Sequence, residues 1–112
     1  VEQNTITYNA AVSACEKGRQ WVKALKLLRE MAGIRVERDT ITYNAAVSAC
    51  EKGDQWVQAL QLFREMADSR LERNTITYDA VVSACQKGEQ WVQVLPLFRE
   101  MADSLVVLQF SQ

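Results

Sequence analysis

Three short patterns pair an isoleucine with a polar side chain three residues later, and they recur at intervals of 35 residues. The pairs are Ile6 with Asn9, Ile41 with Asn44, and Ile76 with Asp79. An asparagine amide both donates and accepts hydrogen bonds, so it has the groups needed to read the edge of a nucleobase. An isoleucine on a polar helix face is costly to expose, and its recurrence indicates a flat apolar surface on which a planar group could stack. The spacing leaves a structural alternative open, in which the isoleucines pack between neighbouring helices and the asparagines are only solvated.

The pairs lie inside a longer repeat, so the elements that position them must repeat as well. The motif Thr-Ile-Thr-Tyr begins at Thr5, Thr40 and Thr75, and each copy is followed at fixed distances by a cysteine, a glycine and a tryptophan. A fixed period of this size is typical of solenoids and other repeat arrays. We therefore divide the chain into three units, each of which contacts only its neighbours and shares no single central core with the others. The units are 5–39, 40–74 and 75–109.

Apolar spacing predicts that each unit begins with an amphipathic helix. In the first unit, Tyr8, Val12 and Cys15 fall on one face of a helix over residues 5–17. Gly18 follows directly, and glycine is the commonest residue at the end of a helix. We expect Gly53 and Gly88, which occupy the same place in the later units, to end their helices too.

A second helix is predicted over residues 20–31 of the first unit. Its apolar stripe consists of Trp21, Ala24, Leu25, Leu28 and Met31. Two helices of this length joined by a few residues must lie antiparallel as a hairpin. The tryptophan of each unit, at positions 21, 56 and 91, is interpreted as a core residue that anchors its hairpin, and not as a platform for a stacked base. The linker over residues 32–39 then returns the chain to the start of the next hairpin.

The third unit departs from the other two. Pro96 lies inside its second helix, where it removes a backbone donor and clashes with the preceding turn at a cost of about 3 kcal/mol, so we expect a kink or fraying there. Beyond Ser104, the apolar residues 105–110 replace the polar linker of the second unit. The sequence predicts that residues 105–112 form a short apolar tail with strand propensity, which covers the open end of the stack or adheres to another chain.

Composition excludes several classes of protein. The chain has 112 residues, a formal net charge of −1, 48% hydrophobic and 24% charged residues, as an ordinary water-soluble domain does. No apolar run approaches the ~18 residues of a membrane span. The first unit carries most of the basic residues, which modestly favours anion binding at that end. The chain begins at Val1 and shows no leader, so we expect it to be a piece of a longer protein.

The chain has few residues that could catalyse a reaction or bind a metal ion. The chain contains no histidine, and Cys15, Cys50 and Cys85 are one unit apart, too far for a disulfide or for shared metal ligation if the units stack side by side. We interpret them as small buried apolar residues. The cysteines have no base partner, and no glycine-rich phosphate loop is present. The sequence therefore predicts a protein that is not an enzyme and that needs no cofactor or metal.

The repeated sequence motifs resemble those of a known protein family. Thr-Tyr-Asn, an Ala/Val run into Ser-Ala-Cys, and Leu-x-Leu-Phe-x-Glu-Met near the end of the second helix, all in a 35-residue period, are similar to the pentatricopeptide repeat family. The resemblance covers nearly the whole chain. It implies an all-α fold, a right-handed α-solenoid of stacked antiparallel hairpins, that binds single-stranded RNA with one base per repeat.

The resemblance also implies which side chains select the base. One is the asparagine after the tyrosine, and the other is the last residue of the linker. The implied pairs are Asn9 with Asp39, Asn44 with Asn74, and Asp79 with Gln109, while Ile6, Ile41 and Ile76 would hold bases between neighbouring units. The first pair implies uracil and the second cytosine, with uracil tolerated, so the expected target is 5′-U-(C/U). The third pair has no assignment, and the third unit is expected to be non-specific or structural.

Other partners remain open from the sequence. Three repeats give few contacts, so RNA binding by this chain alone is expected to be weak, and its slight negative charge suits a scaffold that grips a peptide or protein with the same surface. No membrane partner is expected, and the oligomeric state is not determined by the sequence. The family resemblance implies a role in RNA processing in a mitochondrion or plastid.

Overall fold

The computed structural model describes residues 5–110, with the backbone alone described at positions 91, 98 and 104–110. Six α-helices follow one another in this part of the chain. They are α1 (Thr5–Lys17), α2 (Trp21–Gly33), α3 (Thr40–Lys52), α4 (Trp56–Asp68), α5 (Thr75–Lys87) and α6 (Trp91–Phe110). The all-helical fold class predicted from the sequence is confirmed, and successive helices pack as antiparallel hairpins.

The hairpins stack side by side through their first helices. α1 contacts α3 and α3 contacts α5, whereas within the described residues α2 and α4 make no close backbone contact with each other. Because the first helices approach one another more closely than the second helices do, the array curves with α1, α3 and α5 on its inner side. The side chains of the first helices are therefore the ones presented on the concave surface.

The core runs through the stack and is most complete in the middle unit. Val12 and Leu28 of the first unit, Tyr43 and Phe63 of the second, and Val81 of the third are all fully or almost fully buried in one continuous cluster. Each unit thus depends on its neighbour to cover its apolar face, as expected for repeats that cannot bury two faces alone. Among the helices described, none combines the length and the apolar character needed to cross a membrane.

The cysteines of the second and third units, each of which packs on a preceding unit, behave as core residues. All three thiols are free, and Cys50 and Cys85 are buried, while Cys15 in the first unit is only half-buried. Burial raises the pKa of the Cys50 thiol to about 11. An inert thiol of this kind acts in packing and not in chemistry.

Each first helix ends directly before its glycine, as predicted, but the glycine itself does not adopt the left-handed backbone. The residue with a left-handed backbone is the one after the glycine, namely Arg19, Asp54 or Glu89, and no described glycine has a positive φ. The next backbone N–H then bonds back five residues, as Gln55 N does to the Cys50 carbonyl at 2.8 Å. This is the Schellman helix end, here built without glycine at its left-handed position.

A tryptophan of the preceding unit explains why a glycine is present. A Cβ added to Gly53 would overlap the indole of Trp21, and one added to Gly88 would overlap the indole of Trp56. The prediction that tryptophan anchors its own hairpin is therefore incomplete, because Trp21 and Trp56 also pack against the backbone of the next unit. The same prediction for Trp91 lies outside the described side chains.

The third unit is more regular than the sequence predicts. α6 continues through Pro96 without interruption and extends to Phe110. Val92, whose carbonyl has no backbone N–H to bond at Pro96, lies on the exposed side of α6, where 82% of the residue is accessible. The predicted strand-like character of residues 105–110 is wrong, since these residues are helical. Positions 111–112 of the predicted tail lie outside the described residues.

Candidate nucleic-acid interface

The three isoleucines of the repeated pattern are exposed on the first helices. Ile6 is 80% exposed, Ile41 66% and Ile76 63%. The alternative in which they pack between neighbouring helices does not describe the structure. A row of exposed isoleucines at successive units offers apolar surface on the inner side of the array, spaced by one unit each time.

The asparagines beside them are held by hydrogen bonds and are not simply solvated. The Asn9 amide nitrogen donates to Asp39 Oδ1 at 3.3 Å, and Asn9 Oδ1 accepts from the Thr42 hydroxyl. Asn9 lies on α1, Asp39 ends the linker of the same unit, and Thr42 lies on α3 of the next unit. The site is therefore assembled across the interface between two hairpins.

Asp39 is placed there by its second role as the cap of α3. Its Oδ1 accepts the backbone N–H of Thr42 at 3.0 Å, and the Thr42 hydroxyl accepts the backbone N–H of Asp39 at 3.2 Å. This reciprocal pair is a capping box, which satisfies two of the backbone donors left free at a helix start. The first turn of α3 thus fixes both groups that Asn9 contacts.

The same arrangement is repeated one unit later. The Asn44 amide nitrogen donates to Asn74 Oδ1 at 3.1 Å, and Asn44 Oδ1 accepts from the Thr77 hydroxyl. Asn74 caps α5 with Thr77 in the same capping box. Asn44 is only 9% exposed, so little more than the outer edge of its amide is accessible.

The Asp39 carboxylate stays ionised at neutral pH. Burial raises its pKa, but hydrogen bonds from Thr42 and Asn9 lower it by more, and the pKa of Asp39 is below its usual value. An ionised carboxylate only accepts hydrogen bonds, whereas the amide of Asn74 also donates them. The first two sites therefore differ in the hydrogen-bonding character of one residue.

The third predicted pair is not assembled in the same way within the described side chains. Asp79 is exposed on α5. Gln109, its implied partner, lies outside the described side chains. The sequence has Gln112 where a threonine equivalent to Thr42 and Thr77 would stand. Nothing in the described part of the chain gives Asp79 the partners that Asn9 and Asn44 have.

Threonines 42 and 77 are the site residues that sequence reasoning missed. Both side chains are fully buried, and both bind an asparagine of the preceding unit. A threonine recurs at this place in every unit, but so do most other residues of the repeat, so recurrence alone does not distinguish it. Only the contact across the unit boundary reveals its part in the site.

Ion pairs also link neighbouring units near the ends of the first helices. Lys52 pairs with Glu16, and Lys87 pairs with Glu51 at 2.9 Å. Burial raises the pKa of Glu51, but hydrogen bonds from Lys87 and Ser83 outweigh it and leave that pKa below its usual value. These lysines are compensated by carboxylates, so the surface has little net charge with which to attract phosphate.

In the residues that the structure describes, no cluster of three or more His, Cys, Asp or Glu side chains is arranged to hold a metal ion.

Stacked helical hairpins with a recurring polar pair at each interface define a helical-repeat protein. Two models of the same repeat family match the sequence, the PPR repeat over residues 6–36 and the PPR repeat family over residues 38–87, and together they span well over half of the chain. The chain belongs to the pentatricopeptide repeat family. Proteins of this family are generally non-catalytic, RNA-binding repeat proteins.

A solved structure of the family is similar along most of the chain. It is the crystal structure of the pentatricopeptide repeat protein PPR10 from maize, with 25% sequence identity and a TM-score of 0.80. The match covers 92% of this chain but 15% of that one, so this chain spans a small part of the length of its structural relative. The predicted solenoid of helical hairpins is confirmed by this likeness. No curated protein matches the chain.

Proposed function

We propose that the chain binds single-stranded RNA and that its first two units each read one base, with the preference 5′-U-(C/U). The observation that carries this proposal is the pairing of Asn9 with Asp39 and of Asn44 with Asn74, each beside an exposed isoleucine. A base entering between Ile6 and Ile41 would bury apolar surface on both faces, and its pairing edge would meet the outer part of the Asn9 amide.

The chemical difference between the two linker residues supports the order of the bases. Uracil presents an N–H donor at N3 between two carbonyl oxygens, whereas cytosine presents an acceptor at N3. The Asp39 carboxylate offers only acceptors and suits the donor of uracil, directly or through a bridging water. Asn74 adds a donor, which suits the acceptor of cytosine. We therefore assign uracil to the first site and cytosine, with uracil tolerated, to the second.

Binding by this chain alone is expected to be weak. Stacking of bases on a protein surface contributes about 1 to 3 kcal/mol per base before the cost of ordering the strand. Two reading sites and a surface with little net charge leave an affinity in the range of weak, salt-sensitive complexes. The family membership also underlies our proposal that the chain acts within a longer RNA-processing factor of a mitochondrion or plastid.

A reciprocal exchange of the two linker residues tests the proposal. The variants are Asp39→Asn, which gives the first site the composition of the second, and Asn74→Asp, which does the reverse. Aspartate and asparagine are equally good helix caps, so stability is expected to change little. Binding is measured by titration at low salt with eight-nucleotide adenine-rich strands that carry UC, UU, CC or CU at the centre, and with strands of adenine or guanine alone.

The expected result is an exchange of preference. The unmodified chain should prefer UC to CC by about three- to tenfold, in line with one gained or lost hydrogen bond. Asp39→Asn should reverse the preference at the first position, so that CC binds more tightly than UC. Asn74→Asp should make uracil the preferred base at the second position, so that UU binds more tightly than UC. Asp68→Asn, an equal change of charge on the surface of α4, is the matched control and should alter no preference. Equal binding of the unmodified chain to all strands would contradict the proposal and would favour the peptide-binding alternative.

A further inference from the structure

We infer that Thr42 and Thr77 orient the reading asparagines, Asn9 and Asn44, and so help to set base preference. Each threonine belongs to the unit that follows the one whose base it affects. The inference rests on the proposed function, since it concerns how the same two sites discriminate between bases. It adds to each site a positioning residue that neither the repeat pattern nor the family comparison assigned. The structural basis is the contact of each threonine hydroxyl with an asparagine oxygen across the interface between two hairpins.

The direction of these hydrogen bonds follows from the number of protons available. The Thr42 hydroxyl lies near two oxygens, Asn9 Oδ1 and, at 2.9 Å, Asp39 Oδ1, but it has one proton to donate. Asp39 Oδ1 already accepts from the Thr42 backbone N–H and from the Asn9 amide nitrogen. Its acceptor capacity is filled, so the hydroxyl proton goes to Asn9 Oδ1.

This arrangement fixes which way the asparagine amide faces. With its oxygen toward the Thr42 hydroxyl and its nitrogen toward Asp39, the Asn9 amide has one N–H and one lone pair left to present outward. A reversed amide would bring its oxygen against Asp39 Oδ1, two acceptors with no proton between them. In the second site Asn74 Oδ1 is also an acceptor, since it binds the Thr77 backbone N–H at 3.2 Å, and it disfavours reversal of Asn44 in the same way.

Burial separates the part played by the threonines from direct contact with RNA. Thr42 and Thr77 are fully buried, so neither side chain can touch a base or a phosphate in this fold. Any effect of these hydroxyls on base preference must act through Asn9 or Asn44. Removing the hydroxyl leaves the asparagine oxygen without its buried donor, so the amide is held only by its bond to Asp39 or Asn74 and presents its outer donor and acceptor to a base in a less fixed position.

Paired substitutions at the two positions test the inference on the full chain. Thr42→Val and Thr77→Val remove the hydroxyl while keeping nearly the same shape, and Thr42→Ser and Thr77→Ser keep the hydroxyl. Thr40→Val is the matched control for lost stability, because the Thr40 hydroxyl binds the Glu72 carbonyl at 2.8 Å and no reading asparagine. Each variant is titrated with the strands carrying UC, UU, CC and CU, and the side-chain amide resonances of Asn9 and Asn44 are followed by NMR without RNA.

The expected result is specific to one position for each valine variant. Thr42→Val should reduce discrimination at the first base about three- to tenfold and leave the second unchanged, and Thr77→Val should do the reverse. The serine variants should retain the preferences, and only the valine variants should shift the corresponding asparagine amide resonance. Thr40→Val should weaken binding to all strands equally, if it weakens binding at all.

Two outcomes would overturn the inference, and they have different meanings. If the unmodified chain shows preference but the valine variants lower binding to all strands alike, or leave the amide resonances unmoved, the threonines are only helix caps and the proposed function stands. If the unmodified chain shows no preference among the strands, the proposed function fails and the inference fails with it.

Discussion

Trp21 of the first hairpin lies against the backbone of Gly53 in the second, so closely that the space of a Cβ at Gly53 is taken by the indole ring. Trp56 and Gly88 form the same contact one unit later. A side-chain atom is therefore excluded at these glycines by packing between units and not by an unusual backbone angle, because neither glycine has a positive φ.

Replacing Gly53 with alanine should destabilise the fold. The added methyl group must displace the Trp21 ring, and overpacking of this kind costs about 1 to 3 kcal/mol. Urea-induced unfolding followed by circular dichroism gives the change in the free energy of unfolding.

Gly18→Ala is the matched control at the equivalent place in the first unit. The nearest atom to a Cβ there, the Ala14 carbonyl oxygen, is at 3.4 Å, so the alanine fits with ordinary contacts. A change within about 0.5 kcal/mol is expected, as for most substitutions without a packing conflict. Equal losses in the two variants would show that the requirement for glycine comes from the helix end and not from the tryptophan.

Replacing Ile41 with serine should weaken RNA binding without destabilising the protein. Ile41 is exposed and lies between the two reading sites, so a serine removes apolar surface from both base positions while disturbing little of the core. We expect a loss of about three- to tenfold in affinity for the UC strand, which corresponds to about 1 kcal/mol of lost apolar contact. The measurement is the same titration, with thermal unfolding as a check on the fold.

Val57→Ser is the comparison that makes this result informative. Val57 is a similarly exposed apolar residue, but it lies near the start of α4, a second helix of a hairpin. Its replacement should leave RNA affinity unchanged. A loss of affinity from both serine variants, or from neither, would contradict the assignment of the isoleucine row as the surface that holds bases.

Acidification should remove the stabilising contribution of Asp39. Its pKa is lowered in the folded state, so its contribution is present above the unfolded-state pKa of about 3.9 and is lost as the pH falls through the folded-state value. The free energy of unfolding, measured by urea titration between neutral pH and about pH 3, should fall faster for the unmodified chain than for Asp39→Asn, which has no proton to bind there.

The comparison is made on the difference between the two proteins. Other carboxylates titrate in both and cancel, so the difference isolates Asp39. A constant difference across the whole pH range would show that the hydrogen bonds from Thr42 and Asn9 do not distinguish the two ionisation states.

The helices and their stacking could be predicted from the sequence because they depend on local spacing that is repeated. Tyr8, Val12 and Leu28 each fall on an apolar stripe that one hairpin cannot bury alone, and the next copy of the same residues supplies the cover. The exposed isoleucines and the pairing of Asn9 with Asp39 also followed from the pattern and from the resemblance it carries.

Two features that the sequence did not reveal, the contact of Trp21 with Gly53 and the hydrogen bond between Thr42 and Asn9, cross the boundary between units. From the sequence, Gly53 is an ordinary helix-ending glycine. The structure shows instead that Trp21 leaves no room for a side chain there, and that the left-handed residue is Asp54. Thr42 cannot be distinguished from the other recurring residues of the repeat until α3 is known to lie beside α1. Near-identical copies mark almost every residue as recurrent, so the repeat itself cannot show which contacts join one copy to the next.

The position of Thr42 in the hairpin after Asn9 has a consequence for protein engineering. A cassette cut at the conventional repeat boundary, 40–74, would contain Asn44 and Asn74 but leave Thr77 behind, and would bring a foreign Thr42 to its neighbour. A cassette over residues 43–77 carries all three partners of one recognition position. Grafting between arrays should therefore transfer nucleotide selectivity most faithfully when the splice points are moved three residues downstream.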